Sequence, residues 1–265
     1  MGCLTMSATK GSLSIQNVTL VYGKDEKRVL ALDGISFDVR SNEFTVIVGP
    51  SGCGKSSLLY IAAGLNAATS GVILASGHAV EEPGADRGMV FQSYTLFPWL
   101  TVRQNVEYGL RRKGMAAAER TRITDHYLDE IGLTAFADHY PKQLSGGMMQ
   151  RVAIARALAN DPDILLMDEP FGALDSQTRH SMQKLLLRVW EHSQKTVAFV
   201  THDIDEAILL GDRVIVMTAR PGRVKADIRI DIPRPRAPEI ALEPEFIAIK
   251  RRILEELRSE IDEDH

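Results

Sequence analysis

An apolar run, Phe44 to Val48, breaks into Gly49-Pro50-Ser51-Gly52-Cys53-Gly54-Lys55-Ser56-Ser57, and a helix-like run from Leu58 to Gly64 follows. No other stretch constrains the fold so strongly. The glycines allow positive φ and remove the Cβ atoms that would stand between the backbone and a ligand. Backbone N–H groups then converge on an anion at a helix mouth, where the helix dipole favours negative charge. Every fixed position of the strand, glycine-loop, helix pattern for phosphate binding is filled, and the flanks are right. Lys55 is placed to reach the β- and γ-phosphates of a nucleotide, and the Ser56 hydroxyl to ligate Mg²⁺.

Composition frames that loop. At 265 residues the chain suits one large domain, or one domain with a subdomain, and can bury a sizeable core. Its 45% hydrophobic and 25% charged residues are ordinary for a globular protein. A formal charge of −4 without a basic block argues against nucleic-acid binding by bulk electrostatics. No apolar run approaches the roughly 20 residues of a membrane span. Cys3 and Cys53 are the only cysteines, which speaks against a disulfide framework or zinc site and for a reducing cytoplasm. Met1-Gly2-Cys3 invites a lipid anchor, but Met6 stands where the acylation pattern wants Ser or Thr, and no apolar signal region precedes Cys3. Residues 1–12 are expected to be a flexible start, and the protein soluble and untargeted.

Periodicity sorts the rest. Leu13 to Val21 and Leu32 to Arg40 alternate as half-buried strands do, and Gly71 to Ala75 and Gly88 to Phe91 read as short strands. From Thr101 to Ala159 the spacing turns helical, over Val102 to Leu110, Glu119 to Ile131 and Gly146 to Ala159. That predicts a helical subdomain, at about 93–160, inserted into the core. Ile164 to Met167 is a continuous apolar run of buried parallel type. A helix (Ser176 to His192), a strand (Thr196 to Val200), a helix (Asp203 to Leu210) and a strand (Arg213 to Thr218) follow. Such alternation implies an α/β core with a mostly parallel sheet. The main body spans 13–231. Residues 232–265 read as a semi-rigid connector, Ile232-Pro233-Arg234-Pro235-Arg236, and a charged amphipathic helix from Phe246 to Ile261.

Phosphoryl transfer needs a carboxylate near the metal and a group that orients water. Ile164-Leu165-Leu166-Met167-Asp168-Glu169 ends a buried strand in two carboxylates, at the sheet edge where open α/β sheets bind ligands. Asp168 is the candidate Mg²⁺ ligand and Glu169 the candidate for polarising the hydrolytic water. His202 follows another apolar strand and should emerge at the same edge, as a γ-phosphate contact or as a plain helix cap or surface residue. Gln92 is also polar at a strand end. Leu144-Ser145-Gly146-Gly147 precedes a helix, and serves equally as an ordinary N-cap or as a second anion cradle. One chain hardly needs two cradles for one nucleotide. If the second serves a partner's nucleotide, the chain must dimerise.

These residues together resemble the ATP-binding subunits of ABC transporters over nearly the whole chain: the phosphate loop, Gln92, Leu144-Ser145-Gly146-Gly147, Asp168-Glu169, Ala173-Leu174-Asp175 and His202 stand in family order. The resemblance implies a P-loop NTPase core, mostly parallel with an antiparallel β subdomain, plus a helical subdomain carrying the signature Ser145-Gly146-Gly147. It implies ATP and Mg²⁺ as cofactors, with Tyr22 stacking on adenine and Gln92 joining Ser56 and Asp168 around the metal. Catalysis falls to Glu169 and His202. Two cassettes, identical or paired with a second kind, would close head to tail over two ATPs, with Ser145, Gly146 and Gly147 of one chain facing the γ-phosphate held by Lys55 of the other. Transmembrane permease subunits and, through them, a solute-binding protein are the implied partners, at the cytoplasmic face of the cell membrane.

Gly84 to Gln92, Leu96-Phe97-Pro98-Trp99, Phe171 to Asp175 and Arg220-Pro221-Gly222-Arg223-Val224 look like the nitrate, sulfonate and taurine importer branch. So does Met148 after the signature glycines, whereas Met149 departs from the pattern. Leu96-Phe97-Pro98-Trp99 reads as a permease-docking groove or as a core turn. A soluble ABC-type ATPase acting on nucleic acid or ribosomes is the alternative function, but the coiled-coil insertion, the second cassette and the basic surface that such proteins use are missing.

Overall fold

The computed structural model describes residues 9–261 other than 24 and 194. Of the expected flexible start, residues 9–12 are tied down: the Gly11 N–H donates to Ser76 Oγ at 2.8 Å, and Ser41 Oγ donates to the Lys10 carbonyl at 2.7 Å. The remainder of that start, Cys3 included, and the acidic end after Ile261 lie outside the described residues.

In chain order the elements are β1 (Leu13–Tyr22), β2 (Val29–Val39), β3 (Phe44–Val48), α1 (Lys55–Ala62), β4 (Ser70–Ala75), β5 (His78–Ala79) and β6 (Arg87–Val90). Then come α2 (Val102–Arg112), α3 (Ala117–Glu130), α4 (Gly146–Ala159), β7 (Ile164–Asp168) and α5 (Ser176–Ser193). The last are β8 (Thr196–Val200), α6 (Ile204–Leu210), β9 (Arg213–Met217), β10 (Val224–Arg229) and α7 (Pro244–Ile261). The described residues fall into two compact units, the first within 1–84 and 195–265, the second within 85–194.

The first unit holds an antiparallel sheet in the order β2-β1-β4-β5. Its alternation is that of half-buried strands: Leu13, Ile15, Val18 and Leu20 of β1 and Ile35, Phe37 and Val39 of β2 are buried. The alternation slips where Asn17 takes φ +52, at the first of three shifts in the β1–β2 register, between Ile15 and Val18. Gly71 lets the neighbouring strand pass, since a Cβ there would stand 2.2 Å from the Asn17 carbonyl oxygen.

In the same unit β3 lies between β8 and β9, parallel to both, with β10 antiparallel to β9. β3 and β8 are buried along their whole length, which is why they read as unbroken apolar runs. Ile47 stands opposite Val200 and Val48 opposite Val216, so the segments after these three strands all leave from one edge. β5 and β10 are additions to the expected elements. β10 looks irregular in sequence because only Ile228 in it is buried, while it is held as an edge strand by antiparallel pairing with β9.

The stretch expected to be a connector, 232–236, is instead packed on the first unit. Arg236 is buried and donates to the carbonyls of Ile208 (2.8 Å), Gly211 (2.5 Å), Ile230 (3.3 Å) and Ile232 (2.8 Å). Burial, with Arg234 nearby, pushes its guanidinium down to about 10, so it remains charged at neutral pH. Arg234 pairs with Asp212 at 2.8 Å, and Asp212 also accepts from the Phe44 N–H at 2.9 Å. A Pro/Arg segment reads as a semi-rigid connector in sequence; here the guanidinium donors match a ring of carbonyls.

In the second unit β6 and β7 pair in parallel, Val90 opposite Met167. α2, α3 and α4 pack on one another, and α4 also packs on β6. α2 opens on a capping box made by Thr101 and Gln104. The helical block expected near 93–160 thus sits in a unit that also carries β6, β7 and α5.

Candidate nucleotide site

The phosphate loop belongs to the first unit. Gly52 has φ +78 and Gly54 φ +101, backbone that L side chains rarely adopt. Gly54 is also hemmed in: a Cβ there would stand 2.6 Å from Leu32 Cδ2. It is the N-cap of α1 and supplies no side-chain acceptor, so the N–H groups of the first turn point out of the helix mouth without a cap. The Lys55 ammonium lies inside the curve of the loop, donating to the carbonyls of Gly49 at 2.8 Å and Pro50 at 2.9 Å. It is 6% exposed, a burial these bonds offset. Cys53 is buried beside it, and burial raises the thiol pKa against the opposing pull of Lys55. Tyr22 is half exposed and its hydroxyl lies 3.0 Å from Ser57 Oγ.

His202 leaves the same edge, two residues past the end of β8. It is not the helix cap: Asp203 caps α6, its carboxylate accepting the Glu206 N–H at 3.1 Å. The expected helix therefore starts at Ile204. Tyr22, Gly49 to Ser57 and His202 form the first unit's share of the predicted site residues.

The second unit carries the others. Because Val90 and Met167 are in register, Gln92 and Asp168 leave β6 and β7 from one edge. Asp168 is 1% exposed at the strand end. Glu169 takes φ +41, a strained conformation for a residue with a side chain, costing on the order of 1–3 kcal/mol. Such strain persists where the surroundings fix it. The Gly172 N–H returns to the Glu169 carbonyl at 3.2 Å, and a Cβ on Gly172 would approach Glu169 Oε2 to 3.6 Å. Asp175 caps α5, accepting from the Gln177 and Thr178 N–H groups at 3.1 and 3.0 Å. Its carboxyl is held below the usual range, first by the Thr178 side chain and then by these backbone donors.

Ser145 is the N-cap of α4, its hydroxyl accepting the Met148 N–H at 3.3 Å. The two glycines after it have neighbours of their own. A Cβ on Gly146 would lie 2.7 Å from the Tyr94 hydroxyl, and one on Gly147 2.5 Å from Thr178 Cγ2. The sequence offered no hint of Tyr94 or Thr178.

Trp99 is 70% exposed, and Phe97 packs between it (5.7 Å) and Tyr108 (4.5 Å). The Arg156 guanidinium lies 5.5 Å from the Phe97 ring centroid, with burial lowering its pKa. The loop is held by Asn105, fully buried, whose amide lies 3.2 Å from the Phe97 carbonyl and 3.1 Å from that of Leu100, while its oxygen accepts the Phe97 N–H at 2.9 Å. Asn105 was missed, although a polar residue on the face of Val102, Val106 and Leu110 was a usable signal.

The family model for ABC transporters matches residues 32–172. An uncharacterised ABC transporter ATP-binding protein of Methanocaldococcus jannaschii is 52% identical, over 95% of this chain and 93% of its own. A nitrate import ATP-binding protein of Synechocystis sp. is 46% identical, over 95% and 97%. A taurine import ATP-binding protein of Jannaschia sp. is 45% identical, over 91% and 92%. Among solved structures, a dimeric ATP-binding cassette in a post-hydrolysis state with ADP and Pi superposes with a TM-score of 0.75 at 38% identity, over 83% of this chain and 99% of that one.

Proposed function

Because this chain belongs to the ABC transporter family as an ATP-binding, ATP-hydrolysing subunit, we propose that it powers the import of a small anion of the nitrate, sulfonate or taurine class. The observation that carries the solute class is the end-to-end similarity to nitrate and taurine import ATP-binding proteins.

In this reading Gly49 to Ser57 wrap the β- and γ-phosphates, with Lys55 as the fixed cation and Tyr22 against the adenine. The hydroxyl of Ser56, the carboxylate of Asp168 and the amide of Gln92 are hard oxygen donors, the set that Mg²⁺ takes alongside nucleotide phosphates. Mg²⁺ would supply charge neutralisation at the phosphates. Glu169, fixed by its strained backbone, orients and polarises water, and His202 contacts the γ-phosphate.

The capped mouth of α4 gives Ser145, Gly146 and Gly147 their role in a partner protomer's site, a reading supported by the dimeric cassette this chain resembles. ATP closes the pair by binding the closed form better than the open one, and hydrolysis removes that preference. No described helix is long and apolar enough to cross a membrane, and the exposed Trp99 with Phe97 offers a surface for a permease's cytoplasmic segment. Coupling then runs through Gln92, which lies in sequence between β6 and that loop. The subunit works at the inner face of the membrane.

The test is uptake. Cells lacking the chain should fail to take up labelled nitrate, taurine or an alkanesulfonate, and wild type but not Lys55→Ala should restore it. Unchanged uptake of all three would overturn the solute class.

A further inference from the structure

After β9 the chain passes through Thr218-Ala219-Arg220-Pro221-Gly222-Arg223 before β10, a turn that the roles above leave unused. It lies in the first unit, against the back of the phosphate loop. A Cβ on Gly222 would stand 2.1 Å from the Cys53 carbonyl oxygen, so only glycine lets the turn come so near. The turn is anchored on its far side as well. The Gly222 N–H donates to the Ala31 carbonyl at 2.9 Å, and the Gly222 carbonyl accepts from the Asp33 N–H at 3.0 Å. Thr218 Oγ1 donates to the Pro221 carbonyl at 2.9 Å, and Arg223 pairs with Asp33 at 2.5 Å.

From this anchored turn Arg220 reaches back to the loop. Its Nη2 donates to the Gly52 carbonyl at 3.3 Å, and a Cβ on Gly52 would meet the same nitrogen at 3.4 Å. The Gly49 and Pro50 carbonyls face Lys55, whereas the Gly52 carbonyl faces Arg220, and a carbonyl held in place fixes its peptide plane. The Gly52–Cys53 peptide is held at both ends: Arg220 binds its carbonyl, and its N–H donates to the Pro50 carbonyl at 3.4 Å. Gly52 sits at φ +78, where glycine has much freedom to lose, so a brace there reduces the ordering left for the ligand to impose. The guanidinium is exposed, permanently charged and forked, with donors beyond the one used on Gly52.

We propose that Arg220 is a positioning residue of the ATPase, holding the Gly52–Cys53 peptide so that the loop meets the polyphosphate already shaped. The inference rests on the reading that Gly49 to Ser57 hold the nucleotide's phosphates.

The test uses the full chain, with a fluorescent ATP analogue for Kd, steady-state ATPase for KM and kcat, and melting without nucleotide. Arg220→Ala should raise Kd and KM about 10-fold, as loss of a charge-assisted bond does, with kcat within about 2-fold and the nucleotide-free melting temperature unchanged. Arg220→Lys should recover most of that loss, because it keeps the charge and one donor. Lys55→Ala in parallel should abolish binding. If Arg220→Ala binds ATP like wild type while Lys55→Ala does not, the inference falls alone. It falls too if Arg220→Ala lowers the melting temperature and leaves KM unmoved, since the arginine is then only structural. If Lys55→Ala also binds normally, the phosphate-loop reading fails and takes this one with it.

Discussion

Two glycine-rich turns lead into helices here, and they are built on opposite plans. Before α1 the glycines are conformational: Gly52 and Gly54 sit at φ +78 and +101, and the N-cap offers no side chain. Before α4 the cap is a serine whose hydroxyl already accepts a backbone N–H, and Gly146 and Gly147 are small because Tyr94 and Thr178 need the space. The first turn therefore leaves its N–H groups without a side-chain cap, whereas the second has already spent one donor on its cap. An opening of the second kind suits a ligand whose charge is held mainly elsewhere. That contrast supports assigning the α4 turn to a nucleotide held by a partner's phosphate loop.

The contrast predicts a graded set of effects. Lys55→Ala should lose ATP turnover by about 100-fold or more, because the loop loses its fixed cation; near-normal turnover would remove the loop from the site. Gly54→Ala should come next. It meets both a positive φ and Leu32, and should cost about 2 kcal/mol or more of stability along with nucleotide binding, read by melting and titration.

Gly147→Ala separates the two plans. If packing alone demands the glycine, shrinking Thr178 in a Gly147→Ala/Thr178→Ser double variant should restore turnover. If the second nucleotide also needs it, folding recovers but turnover remains about 10-fold down, the outcome expected here. Ser145→Ala should cost only about 1 kcal/mol of helix stability, with ATP affinity of the separate chain unchanged. Smallest in ATPase assays should be Phe97→Ala with Trp99→Ala: basal turnover should hold while uptake falls, and normal uptake would return that loop to a plain packing turn.

The sequence revealed most where chemistry and backbone agree. The phosphate loop needs its residue types in order, and β3, β7 and β8 are buried on both faces, so both features stand out in one dimension. Glu169 was legible as a carboxylate after a strand, but its φ of +41 was not, because strain depends on what surrounds it. β10 was missed for want of an apolar pattern, and the 232–236 segment reads as a semi-rigid connector because of its alternating prolines, although Arg236 is 6% exposed among carbonyls. The reasons for Gly146 and Gly147 lie in Tyr94 and Thr178, residues distant in sequence. Contacts of that kind leave no local trace.

In the proposed function one chain carries two half-sites that meet only across two chains. Glu169→Gln should bind ATP but not hydrolyse it, and so trap the closed pair. Light scattering on that full-length variant should give a monomer without nucleotide and a dimer with saturating ATP and Mg²⁺. A monomer with ATP demonstrably bound would mean that the two half-sites do not meet across chains.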